Sequence, residues 1–94
     1  MYYVYVLYSI KFNKFYIGLT DNIKERVEEH NLPENKGWTR KYKPWMLVYY
    51  ESYLTASEAR LRELSLKYYG KTWTELKKRI LRSLKGAAMS VGEE

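Results

Sequence analysis

The sequence predicts an α+β fold, with elements in the order strand, strand, helix, strand, helix, helix, and three observations carry that prediction. Residues 2–9, Tyr-Tyr-Val-Tyr-Val-Leu-Tyr-Ser, are aromatic and β-branched. They meet a similar run at 15–20 across a short polar link, the pattern of an antiparallel hairpin. Two later segments open with Thr and Glu three residues apart and continue with apolar residues at helical spacing. With 94 residues, the chain holds material for one compact domain and no second core.

Each element has its own local cause. Asn13 is the turn former in the link Lys11-Phe12-Asn13-Lys14, and Phe15-Tyr16-Ile17-Gly18-Leu19-Thr20 is the return strand. From Asp21, read as an N-cap, Ile23, Val27 and His30 fall at helical spacing among Lys24, Glu25, Glu28 and Glu29, and residues 31–33 end this short helix. Residues 33–44 gather Lys36, Gly37, Trp38, Arg40, Lys41, Tyr42 and Lys43 without periodicity and read as a basic, aromatic loop. Residues 45–50, continued by Glu51-Ser52-Tyr53, form the third strand. Thr55 and Glu58 open a helix that carries Ala59, Leu61, Leu64, Leu66 and Tyr68 and is expected to stop at Gly70 in a left-handed cap. Thr72 and Glu75 repeat the capping spacing ahead of Leu76, Ile80, Leu81 and Leu84. Gly86 is expected to close that last helix, so the domain spans 1–86 and the tail 87–94 is expected to be frayed.

Composition narrows the function classes. Lys and Arg number 17 against 11 Asp and Glu, a formal charge of +6 divided about evenly between the two halves. A cationic character spread through the fold favours a polyanionic partner. The absence of cysteine excludes a disulfide framework and thiolate metal sites, and a single histidine excludes a His-rich zinc centre. No apolar run approaches a membrane span, and residues 1–7 carry no basic leader, so the expectation is a cytoplasmic protein without membrane contact.

The candidates for chemistry are few. They are the strand tyrosines, Arg26 and His30 one turn apart on the first helix, and Glu63 and Lys67 one turn apart on the second. Taken singly, each has an ordinary structural role: strand packing, a solvated helix charge, or a cation closing a helix.

Their combination resembles the GIY-YIG nuclease family and, within it, the small single-domain bacterial members. Tyr16-Ile17-Gly18 is the second family signature verbatim, and Tyr3-Val4-Tyr5 stands where the first belongs. The passage from Gly18 through Arg26 to His30-Asn31, then Thr39, Pro44, Glu51, Ser57-Glu58-Ala59 and Arg62-Glu63 to Lys67, continues the match. One departure is that Tyr3 replaces the family glycine, where a side chain could crowd the groove.

The resemblance implies a small three-stranded antiparallel sheet flanked by helices, and hydrolysis of a DNA phosphodiester with one divalent ion, Mg²⁺ or Mn²⁺. Glu63 would hold the ion, Arg26 would neutralise charge growing on the phosphate, and Tyr5, Tyr16 or His30 would orient or deprotonate water. Gly18 is the structural residue of the motif. Lys36, Arg40, Lys41, Lys43 and Lys67 would track the nucleic-acid backbone. Low sequence specificity is expected, with a protein partner as one source of targeting. Two alternatives remain open: a non-cleaving nucleic-acid-binding module in which Trp38, Tyr42 or Tyr2 stacks bases, and a protein-interaction domain that uses the apolar helix after Trp73.

Overall fold

The computed structural model describes the backbone of residues 1–93 and the side chains of residues 1–88. In it β1 (Tyr2–Ser9) is the centre of a three-stranded antiparallel sheet, with β2 (Lys14–Thr20) on one side and β3 (Met46–Tyr53) on the other. The middle strand is the most apolar because it alone is paired on both edges and covered on both faces: Val4, Tyr5, Val6 and Leu7 are all buried. Asn13 turns the β1–β2 hairpin with φ 51°, a left-handed conformation that asparagine tolerates, and its side chain accepts a bond from the Tyr8 hydroxyl.

The alternation along β1 sorts the helices. Val4 and Val6 face Ala59 and Leu66 of α2 (Ala56–Tyr68) and Leu76 and Ile80 of α3 (Gly70–Glu93), which together form the larger apolar core. Tyr5 and Leu7 face the other way, onto Trp45, Tyr16, Val27 of α1 (Ile23–Asn31) and Tyr42. The architecture is the expected α+β fold in the order ββαβαα. No described helix is long and apolar enough to cross a membrane.

Several local expectations are corrected. Asn22, not Asp21, caps α1, accepting the Glu25 backbone N–H on its side-chain oxygen. The basic loop contains a 3₁₀ helix, Trp38–Tyr42, and the third strand runs from Met46 to Tyr53. Thr55 caps α2 as expected, although the Glu58 carboxylate accepts the Thr55 hydroxyl. Leu61 and Tyr68, assigned to the apolar stripe of α2, are exposed, and Glu63 is buried on that stripe instead.

Gly70 does not end α2 in a left-handed cap. Tyr69, in extended conformation at φ −111°, breaks the chain between the helices, and Gly70 is the first residue of α3. Thr72 therefore lies inside α3, where no capping box can form, and the Thr74 hydroxyl donates back to the Gly70 carbonyl as it does within a helix. Gly86 does not close α3, which continues to Glu93. A mid-helix glycine costs about 1 kcal/mol relative to alanine, and the Ala87-Ala88 pair beside it favours continuation. The frayed tail expected from Ala87 falls largely on residues 89–94, whose side chains lie outside the described residues.

A polar clamp ties β3 to α2. The Glu51 carboxylate accepts both Nε and Nη2 of Arg62, at 2.8 and 2.9 Å, and the hydroxyls of Tyr49 and Tyr53, at 2.5 Å each. Burial opposes its ionisation, yet the bonds from Arg62 and the two tyrosines together outweigh burial and hold its carboxyl at about 2. A carboxyl depressed below its unfolded value contributes stability above that value and loses it as pH falls towards the folded one. Glu51→Gln should therefore cost about 1–3 kcal/mol at pH 7. Urea unfolding should show the gap from wild type closing between about pH 5 and about pH 2.

Candidate active site

The site is built around a tyrosine that crosses its own sheet. Tyr5 and Gly18 are opposite each other in the β1–β2 ladder, and the Tyr5 ring lies over the glycine. A Cβ added at Gly18 would sit 2.4 Å from both Cζ and Oη of Tyr5, closer than real contacts allow. The motif glycine is thus required by the approach of a ring, with no positive φ involved. The crossing carries the Tyr5 hydroxyl to His30 Nε2, 3.0 Å away in the last turn of α1.

From His30 the polar chain continues inward. Nδ1 lies 3.0 Å from Thr39 Oγ1, and the Asn35 amide donates to that same oxygen at 2.7 Å and to the His30 carbonyl at 2.9 Å. Trp45 Nε1 donates to the Thr39 carbonyl, fixing the 3₁₀ helix against the sheet. Asn31 pairs with both the backbone N–H and the carbonyl of Trp45. Tyr5, His30 and Thr39 are all buried, and each has a partner, which is the condition under which buried polar groups are tolerated.

Electrostatics separates the candidates. Burial, with smaller pushes from Tyr16 and Glu63, raises the Tyr5 phenol well above its ordinary range against the opposing pull of the Arg26 cation. Burial and then the Arg26 cation lower the His30 imidazolium, so His30 is neutral at pH 7. Arg26 is held firmly protonated, first by its bond to Glu29 at 2.6 Å. Tyr5 is only 1% exposed, whereas Tyr16 is half-buried and lines a polar cavity of about 450 Å³ together with Arg26, His30 and Trp38.

Tyr16 also borders a second hollow beside Lys67, which leads to α2. One turn back lies Glu63, 4% exposed and the one buried carboxylate among the described residues. Its Oε1 accepts Arg60 at 2.5 Å and its Oε2 accepts Lys67 at 3.2 Å. An acid on the stripe that otherwise holds Ala59 and Leu66 is costly to bury and has no packing role there that a leucine could not fill.

The structure thus brings Tyr5, Tyr16, Arg26 and His30 to one place, with Glu63 on α2 near enough to act electrostatically on the Tyr5 phenol. The basic residues divide. Lys36, Arg40 and Lys41 are exposed, while Lys43 donates to the Leu32 carbonyl and Lys67 is bound to Glu63, so those two already have structural employment. Tyr3 does not line the polar cavity. It borders a separate hollow with Asn22, Ile23, Lys24, Val27 and Tyr50, outside the cavity that Arg26 and His30 line. Sequence reasoning missed Asn35, Glu29 and Arg60. The last two stand at helical spacing from Arg26 and Glu63 and could have been found, whereas Asn35 gave no signal.

The described residues contain no group of three His, Cys, Asp or Glu side chains placed to share a metal ion. A single carboxylate does fit a hydrated divalent ion such as Mg²⁺, which retains most of its waters. Arg60, the more exposed of the two cations on Glu63, would have to leave it for an ion to enter.

Comparison with known proteins gives a consistent picture. Residues 1–67 match the family model of the GIY-YIG catalytic domain. The chain is 35% identical to a UPF0213 protein of Staphylococcus haemolyticus over 73% of this chain and 83% of that one. It is 38% identical to a UPF0213 protein of Limosilactobacillus reuteri over 82% and 77% of the two chains, and 37% identical to one of Haloquadratum walsbyi over 71% and 74%. No solved structure matches.

Two outcomes check this geometry. Gly18→Ala should displace the Tyr5 ring and lower stability by about 1–3 kcal/mol, the range for overpacking, read as a drop in melting temperature. The single histidine gives one imidazole signal. In an NMR titration its midpoint should fall below the ordinary 6.5, and native stability should correspondingly decline as pH drops below about 6.5.

Proposed function

The chain belongs to the GIY-YIG family, and on that footing we propose that it is a divalent-metal-dependent endonuclease-type domain hydrolysing DNA phosphodiester bonds with low sequence specificity. The observation that carries this reading is the buried Glu63. Burying a carboxylate on the otherwise apolar stripe of α2 is costly even with Arg60 and Lys67 paired to it, and a divalent ion held there in the reaction would give that acid a use that packing does not.

The roles follow from placement. Arg26 lies on the cavity wall and engages Glu29 through Nη1, leaving further N–H groups of its fork for phosphate oxygens, whose negative charge grows in the transition state. Tyr16 is the tyrosine that faces the cavity and orients the attacking water. Tyr5 is too buried to touch that water and remains a phenol; its hydroxyl bonds to neutral His30 and fixes the imidazole at the cavity edge. A divalent ion held by Glu63 would act as a Lewis acid on the scissile phosphate and stabilise the leaving oxygen. Lys36, Arg40 and Lys41 draw the polyanion in, and the net charge of +6 favours association at low salt. Lys67, now paired with Glu63, would join them if an ion took its place there.

The test is cleavage of labelled plasmid, branched and single-stranded DNA with Mg²⁺ or Mn²⁺. Glu63→Gln and Arg26→Ala should each cut slower by a factor on the order of 100 or more, the scale of losing one preorganised electrostatic contact, while binding persists. Cutting that survives in both variants would trace to a contaminant. Binding without cutting by the wild type, on every substrate and with both metals, would overturn the catalytic reading in favour of a non-cleaving module.

A further inference from the structure

Three aromatic rings, two of them exposed and the third half-buried, stand together beside the polar cavity. Trp38, at the start of the 3₁₀ helix, is 50% exposed, and Phe12, in the hairpin turn, is 40% exposed. Tyr42 lies between them, its ring centroid 4.7 Å from Trp38 and 5.5 Å from Phe12. The cluster joins two segments distant in sequence, and its base is rigid: Thr39 is tied to His30, Asn35 and Trp45, and Lys43 to the Leu32 carbonyl. Cations accompany the rings, with Lys14 Nζ 5.6 Å from the Tyr42 centroid and Lys11 Nζ 5.4 Å from that of Phe12. Trp38 also forms part of the cavity wall with Arg26 and His30, so the rings begin where the candidate phosphate site ends.

We propose that Trp38, Tyr42 and Phe12 form a stacking platform for unpaired nucleobases of the strand flanking the phosphate at Arg26, an inference that deepens the phosphodiester reading of the cavity and rests on it. The chemistry selects for unpaired bases. In a duplex each base face is covered by its neighbours, whereas an unpaired base offers a free π-face to an exposed ring while adjacent lysines meet the backbone. The rings are tilted to one another, 52° for Trp38 with Tyr42 and 74° for Tyr42 with Phe12, so bases stacked on them would be splayed rather than parallel. The preferred substrates are then single-stranded, flapped or branched nucleic acids.

The experiment reads binding of the full chain to a short fluorescein-labelled single-stranded DNA, its RNA counterpart and the DNA duplex of the same sequence, by anisotropy in EDTA so that no turnover intervenes. Trp38→Ala and Phe12→Ala should each weaken single-strand binding about tenfold, within the range for losing one stacked base, and change duplex binding by no more than about twofold. Trp38→Phe should restore most of the loss, which a purely steric role in the 3₁₀ helix would not predict. Should Trp38→Ala fail to fold by thermal melting, Phe12→Ala, outside that helix, decides. Equal losses on DNA and RNA support recognition of the bases alone, and a loss on one of them supports the same platform with added selection by the sugar. Single-strand and duplex binding falling together, unchanged single-strand binding, or no nucleic-acid binding by the wild type would each overturn the proposal. Loss of cutting in Glu63→Gln is read separately and bears on the nuclease reading alone.

Discussion

The contact on which the rest depends is the passage of the Tyr5 ring over Gly18 to reach His30. A tyrosine at a buried position of a central strand must find a partner for its hydroxyl or incur the cost of a stranded polar group. Here the partner lies on another element, and the ring reaches it only because the opposing residue has no side chain. That bond fixes the last turn of α1 against the sheet. The helix in turn fixes Arg26 one turn earlier, and His30 anchors Thr39 and the loop. The polar chain from Tyr5 to Asn35 therefore does on this side of the sheet what aliphatic packing does on the other, with greater directional demand.

The two faces of β1 divide the work of the molecule. On one, Val4 and Val6 meet the apolar faces of α2 and α3 in a core that tolerates substitutions of similar volume. On the other, a small aromatic cluster surrounds a hydrogen-bonded network that tolerates few. Glu63 is the exception to this division: it is a charged residue on the apolar side, held by Arg60 and Lys67. The Glu51 clamp lies elsewhere, with all of its partners in place, and fixes the register of β3 against α2.

Much of this was legible in the sequence, for physical reasons. The strands could be read because β1 and β2 are aromatic and β-branched, and α2 because Thr55 caps it. Helix ends were read less well. Gly70 and Gly86 carry the composition of caps, but a glycine ends a helix only where the chain must turn left-handed, and neither adopts a positive φ. The break falls at Tyr69 instead, a residue with no local breaking tendency, because tertiary packing of α2 and α3 onto one sheet face sets the angle between them. Of the site, Tyr5, Tyr16, Arg26, His30 and Glu63 were visible only as a set, since singly each passes for packing or surface charge. The burial of Glu63, which distinguishes it from Glu58, depends on where α2 docks, and the partnership of Asn35 with Thr39 depends on a loop without periodicity.

The division of β1 also has a consequence for assembly. Tyr5, Tyr16, Arg26, His30 and Thr39 all come from the first 40 residues and could gather around one hairpin, but Glu63 arrives only when α2 seals the opposite face of the sheet. A chain with only the first half in place would carry Arg26 with its partner Glu29 but not the buried Glu63. On the proposed nuclease reading, turnover would require both faces of the sheet to have closed, so that cutting would report complete folding.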